Sequence, residues 1–184
     1  MPIKERTKVI IPNVRFSYVH DFEPTALDGQ EPKVSVQLII PKWDKTSVDE
    51  IKKAINNAIE DGKDKLKGVK NVKQPLRDGD EEKADDPNYA GCYFMNANAR
   101  KKPGVVDKYK EEIDDPDDFY SGCYGFASVT FYAYNTAGNK GIGCGLNNVM
   151  KTKEGEHLGG GRATAKSDFD GYEFSPEEDL DDDF

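Results

Sequence analysis

The stretch Ser121 to Asn135 alternates without a break. Tyr124, Phe126, Ser128, Thr130, Tyr132 and Tyr134 occupy one set of alternate positions, and Cys123, Ala127, Val129, Phe131 and Ala133 the other. Successive side chains of a strand point to opposite faces, so a sustained period of two reads as a strand. The two faces differ in kind: one is mostly small or aliphatic, the other polar and aromatic. If the small face packs inward, Tyr124, Phe126, Tyr132 and Tyr134 cannot all be buried. Rings exposed on a sheet are what stacks unpaired nucleic-acid bases. The bland alternative reverses the faces, with the large residues in the core and Ala127 and Val129 against a helix.

Other segments share this pattern. Val34, Val36, Leu38 and Ile40 alternate with Lys33, Ser35 and Gln37, which is the signature of a half-buried antiparallel strand. Val9 to Tyr18 reads as a first strand, with Val14, Phe16 and Tyr18 opposite Asn13, Arg15 and Ser17. In Cys92 to Arg100, Tyr93, Met95, Ala97 and Ala99 alternate with Phe94, Asn96, Asn98 and Arg100. Ala137-Gly138-Asn139 predicts a hairpin turn into a partner strand over Gly141 to Met150. Between strands, a helix is expected from Ser47, capped by Ser47 with Glu50 three residues on. Its apolar stripe is Ile51, Ala54, Ile55, Ala58 and Ile59. Pro75 to Asn88 reads as a long polar connection. Several strands, one main helix and long connections predict a mainly β fold, an OB-like antiparallel barrel with loop insertions. A ferredoxin-like α+β domain would need a second helix of comparable quality.

The formal net charge of −9 argues at first against a phosphate-bearing partner. Its distribution softens that objection. Ser175 to Phe184 holds six of the 35 acids and no base, and without it the balance is −3. Two further acidic clusters, Asp78 to Asp86 and Asp107 to Asp118, read as loops, and what lies between them is basic. Net charge is a poor guide to what one face presents. Cys92, Cys123 and Cys144 are odd in number and widely spaced, so buried free thiols in a reducing cytoplasm are expected rather than a disulfide framework. Met1 to Lys8 is polar, unlike a signal peptide, and no apolar run approaches the roughly 20 residues of a membrane span.

On the polar faces, base-stacking candidates are Tyr124, Phe126, Tyr132, Tyr134 and Phe94, with Asn96 beside them. Arg100, Lys101 and Lys102 put cations at the end of that face, which suits phosphates flanking stacked bases. Arg15, Lys33, Gln37 and Lys140 are further DNA-binding candidates on neighbouring strands and at the hairpin. Catalytic and metal assignments find no support. The three cysteines, His20 and His157 form no paired metal-ligand spacing. Asp114 to Asp118 lacks an EF-hand pattern. Gly141-Ile142-Gly143-Cys144-Gly145 follows a hairpin and opens no helix, so it is read as glycine easing strand crossing rather than as a phosphate loop. No catalytic residue, metal or cofactor is expected.

The last residues, Glu177, Glu178, Asp179, Leu180, Asp181, Asp182, Asp183 and Phe184, join dense negative charge to two apolar side chains. Such a tail can compete with DNA for a basic groove and, once released, present Phe184 to a partner. A plain solvated end is the simpler reading. The expected division is a binding domain over 1–174 and a disordered acidic tail over 175–184.

The runs Lys33 to Lys42, Tyr93 to Arg100 leading to Pro103 to Asp107, Tyr120 to Asn135, and Gly138 to Val149 together resemble a phage single-stranded DNA-binding family long catalogued as a domain of unknown function. The likeness covers most of Val9 to Phe174. It implies an OB-fold, single-stranded DNA as ligand, a role in phage DNA replication or recombination, and work in the cytoplasm of the infected host. The tail is similar in kind to those of single-stranded DNA-binding proteins of short-tailed lytic phages. That likeness brings phage replication proteins, a polymerase or a helicase–primase, into view as tail partners, and leaves a homodimer open. The expected protein is a non-enzymatic binder, largely indifferent to sequence. Its rivals are a protein–protein adaptor in a phage replication complex and a metal-dependent nuclease built on the Asp-rich loops.

Overall fold

Alternation of apolar and polar side chains underlies the long strands here, and a computed structural model describes the chain over residues 6–19, 34–68, 72–136 and 139–158. In chain order the elements are β1 Lys8–Ser17, β2 Val34–Pro41, α1 Lys45–Asp61, β3 Arg77–Asp78, α2 Gly79–Glu82, β4 Cys92–Ala99, β5 Gly104–Val106, β6 Tyr124–Thr136 and β7 Asn139–Lys153. The small face of β6 is the inner one: Ala127, Val129, Phe131 and Ala133 are buried, alongside Ile142, Cys144 and Leu146 of β7. The polar and aromatic positions therefore lie outside.

β1 pairs antiparallel with both β2 and β6, β2 with β4, and β6 with β7. The ring closes where β7 meets β4 in parallel at Asn98 and Gly145. After the bend at 100–103, β5 continues the closure beside β7, from Gly104 opposite Asn148 to Val106 opposite Met150. This is a near-closed five-stranded Greek-key ring of OB type, built from β1, β2, β4, β6 and β7. A ferredoxin-like arrangement has an open sheet under two helices, which this closure rules out.

One irregularity keeps β1 in phase. Its register with β6 shifts between Ile11 and Val14, so both of these apolar residues face inward although three positions apart. Pro12, which cannot donate a ladder hydrogen bond, sits within that bulge. Tyr18, read as a member of the inner face, instead lies beyond the strand with φ of 56° and is exposed.

Helix α1 starts before the predicted Ser47. Asp44 is its cap, accepting the Ser47 backbone N–H at 3.3 Å and the Asn13 side-chain amide at 2.9 Å. Burial works against the Asp44 carboxylate, but these hydrogen bonds prevail and hold its pKa below the ordinary value. Val48, Ile51, Ala54, Ile55 and Ala58 form one buried stripe in the same core as the barrel. The helix ends at Gly62 because the chain there touches β6: a Cβ on Gly62 would stand 2.2 Å from Cβ of Ala133.

The connection from 75 to 88 is shorter in loop than its polarity predicts. It holds β3, which pairs with β4 at Phe94 and Tyr93, and the single turn α2. It folds back over the outer face, where Tyr89, Phe94 and Ile39 make a second small buried cluster. Its acids act as local caps: Asp78 accepts the Asp80 N–H and Asp86 the Asn88 N–H, each at 2.9 Å. Asp107 and Asp115 play the same part for Tyr109 and Asp117. These four acids of the 35 in the chain thus serve turn geometry. All three cysteines are free thiols, with Cys123 and Cys144 buried. No helix among the described residues is long and apolar enough to cross a membrane.

Candidate functional site

β4 and β7 pair directly at one rung and then diverge. Into that wedge runs the segment 72–78, paired through Lys73 to Gly141 of β7 and through Arg77 to Phe94 of β4. Over the wedge lies an open groove of about 600 Å³. One wall is Asn96 and Asn98 of β4 with Arg100 just beyond its end. The other is Tyr132, Tyr134 and Thr136 of β6 with Ile142, Gly143 and Cys144 of β7, and Lys73, Gln74, Pro75 and Arg77 complete the lining. Among the described residues three cations and no carboxylate line it, in a chain whose formal charge is −9. General OB-barrel behaviour places oligonucleotides at the face of the second and third strands and the loop joining the last two, which here means β2, β4 and the β6–β7 hairpin.

Tyr132 is the most open ring of the groove, 45% exposed and directly opposite Gly143. Partial burial raises its phenol pKa, against a smaller opposing effect of Arg100. The phenol is thus neutral at physiological pH and adds no negative charge to a phosphate site. Tyr134 is half-buried in the same wall, its hydroxyl over Gly141. Arg77 reaches the groove while its guanidinium is held 2.5 Å from Glu82 and lies 5.1 Å from the Phe94 ring centre.

Of the residues expected to meet DNA, the structure brings Asn96, Arg100, Tyr132 and Tyr134 together. Others are placed elsewhere. Phe94 is buried at 1% exposure between Tyr89, Ile39 and Arg77, so it has no face open to a base. Gln37 is buried too: the Tyr89 hydroxyl donates to its carbonyl oxygen, and its own amide donates to Asn96 at 3.4 Å. Both corrections have one cause, the folding-back of the chain around Tyr89 onto a face that looks open in the sequence. Arg15 donates to the Gly122 carbonyl at 3.1 Å, the Glu156 carbonyl at 2.8 Å and Asn88 at 3.2 Å. Tyr124 is taken by cations, Arg15 at 5.2 Å and Lys153 at 5.5 Å from its ring centre. Lys140 donates to the Lys67 carbonyl at 2.7 Å. Phe126 is exposed but lies outside the groove, opposite Met150. Lys101 and Lys102 are exposed on the bend between β4 and β5, beside the groove rather than in its lining. Lys33 and Glu177 to Phe184 lie outside the described residues.

Lys73, Gln74, Arg77 and Asn98 were not among the expected contacts. Lys73 ends a lysine-rich run from Lys63, which was the available signal. Arg77 carried none, since only the pairing of β3 with β4 brings it to this face.

Comparison with known proteins places this geometry among relatives. The family model described as "Enterobacter phage Enc34, ssDNA-binding protein" matches residues 7–184. Protein p50 of Acyrthosiphon pisum secondary endosymbiont phage 1 is 32% identical over 183 residues, covering 94% of this chain and 98% of that one. The single-stranded DNA-binding protein of bacteriophage Enc34, solved in complex with ssDNA, superposes with a TM-score of 0.68 at 30% identity, over 83% of this chain and 90% of that one. A C-terminally truncated form of the same protein gives a TM-score of 0.71 at 26% identity, over 83% and 88%. Gp2.5 of bacteriophage T7, also a single-stranded DNA-binding protein, shares the fold, with a TM-score of 0.55 at 16% identity over 90% and 94%.

Proposed function

Given that the chain belongs to the phage Enc34 ssDNA-binding protein family, a family of binders rather than enzymes, we propose that it holds single-stranded DNA in the groove between β4 and the β6–β7 hairpin. The observation that carries this is the lining: among the described residues, Lys73, Arg77 and Arg100 with an open Tyr132 ring and no carboxylate. Each element has its part. The Tyr132 ring stacks a base, which every base permits, so binding is largely indifferent to sequence. Arg100 and Lys73 neutralise phosphates, and the Asn96 and Asn98 amides hydrogen-bond to bases or backbone. Arg77 exchanges its Glu82 partner for a phosphate. The Enc34 relative crystallised with ssDNA supports the choice of ligand.

In this reading the protein coats and protects ssDNA during phage DNA replication or recombination, in the cytoplasm of the infected host. The domain is 1–174, and the acidic tail from Ser175 to Phe184 competes for the groove and recruits replication partners when DNA displaces it. Lys101 and Lys102, on the adjoining bend, extend the cationic path.

The test is a fluorescence titration of the full chain with a poly-dT oligomer, alongside duplex DNA and RNA. Wild type binds dT and the variant Arg100→Ala plus Tyr132→Ala binds it at least tenfold more weakly, by the usual worth of one stack and one phosphate contact. Equal affinity of the two proteins would remove the groove from consideration. Deleting Ser175 to Phe184 tightens binding at low salt if the tail competes; weaker binding after deletion refutes that part.

A further inference from the structure

We propose that Gly143 of β7 is a positioning residue for base stacking. Lacking a side chain, it lets the Tyr132 ring lie down along the strand toward Gly145 and turn one whole face to the groove. This rests on the groove being the ssDNA site. A Cβ on Gly143 would stand 2.5 Å from Cζ, 2.7 Å from Oη and 2.9 Å from Cε2 of Tyr132. A Cβ on Gly145 would stand 3.3 Å from the Thr130 carbonyl oxygen and, at ordinary contact distance, 3.6 Å from Cε1 and 3.9 Å from Cδ1 of the same ring. Atoms from opposite edges of one ring thus lie over two glycines about 6.7 Å apart along the strand. A ring standing on edge cannot reach both. Lying flat also explains how a side chain in such close contact remains 45% exposed: only one face is covered.

The neighbouring glycine behaves differently. Tyr134 places its hydroxyl over Gly141, but Lys73 closes over the same glycine, with Cβ 2.8 Å and backbone oxygen 2.9 Å from where a Cβ would stand. Among the described residues Tyr132 is therefore the most open ring of the groove, and one base stacks on it. Any side chain at 143 lifts that ring off the strand, so that it fills the groove it should floor. The glycine-rich run Gly141 to Gly145, which in sequence resembles a phosphate loop, serves as a seat for tyrosines.

The experiment titrates a dT oligomer against full-length wild type, Gly143→Ala, Gly145→Ala, Tyr132→Ala and the Gly143→Ala/Tyr132→Ala double variant, across a salt series. Gly143→Ala and Tyr132→Ala each weaken binding about tenfold and the double variant is no weaker than Tyr132→Ala alone. The dependence on log salt keeps its slope, because a lost stack releases no counterions. Gly145→Ala, with a looser fit to the ring, loses less than Gly143→Ala. Additive losses in the double variant, or wild-type affinity in Gly143→Ala, overturn the positioning role while leaving the ssDNA reading intact. Failure of wild type to bind dT ends both. A second measurement covers a Gly143→Ala chain that does not fold. In the wild-type NMR spectrum the Gly143 Hα protons are shifted upfield by the Tyr132 ring current, and the shift disappears in Tyr132→Ala. An ordinary Gly143 shift in the wild-type protein overturns the proposal.

Discussion

The Arg15 guanidinium lies 5.2 Å from the centre of the Tyr124 ring, with Lys153 at 5.5 Å from the same ring. One row of outward-facing residues crosses the sheet here: Arg77, Phe94, Ile39, Arg15, Tyr124 and Lys153 are register partners in that order. Cations and rings are consumed by one another along it, and Arg15 further anchors the Gly122 and Glu156 carbonyls. Arg15→Ala is therefore expected to destabilise the fold by about 1–3 kcal/mol in chemical denaturation. Affinity for ssDNA stays within about twofold of wild type. A large loss of affinity with unchanged stability would return Arg15 to the DNA contacts.

Lys73 and Arg100 both line the groove, from separate segments of the chain. Each phosphate neutralised on a single strand contributes about 0.7 to the slope of log affinity against log salt. Arg100→Ala and Lys73→Ala each lower that slope by about 0.7, and the double variant by about 1.4. Asn96→Ala weakens binding without moving it. Titrations at four or five salt concentrations distinguish the two kinds of contact.

Tyr120 is one residue through which high pH acts on the fold. Burial, and hydrogen bonding of its hydroxyl to the Glu154 carboxylate, push its pKa from 10 up to about 12. The folded state favours the neutral phenol. Its contribution is complete below pH 10, where the unfolded chain also keeps the proton, and is lost as pH rises from 10 through about 12. Phenolate absorbance of the folded protein should show one tyrosine ionising near pH 12, and Tyr120→Phe should remove that step and flatten the alkaline loss of stability.

Trp43, the single tryptophan, is 71% exposed on the turn between β2 and α1 and is absent from the groove lining. Stacking on a base quenches indole emission, so saturation with dT leaves the Trp43 spectrum nearly unchanged. Trp43→Phe binds dT like wild type. Strong quenching on binding would show that the strand's path runs over the β2–α1 turn.

Local chemistry alone determined much of this protein. Period-two patterning located β1, β2, β4 and β6 within a few residues, because a strand must point alternate side chains to opposite sides, and the hairpin turn located β7. Which face of β6 packs inward stayed open until the tertiary structure settled it. The stripe from Ile51 to Ala58 determined the helix, though not its cap: Asp44 wins over Ser47 through a hydrogen bond from Asn13, 31 positions away. Candidates on β4 and β6 converged in the groove where both strands run to the seam, as with Asn96, Arg100, Tyr132 and Tyr134. What no local pattern carries is which part of an outward face stays uncovered. Phe94 and Asn96 are two positions apart on the same face, yet the chain around Tyr89 buries the first and leaves the second open. Arg15 and Arg100 are equally cationic in sequence, but only tertiary packing ties the first to carbonyls and sets the second in the groove. Alternation is a property of neighbouring residues, and accessibility depends on what distant segments fold over them.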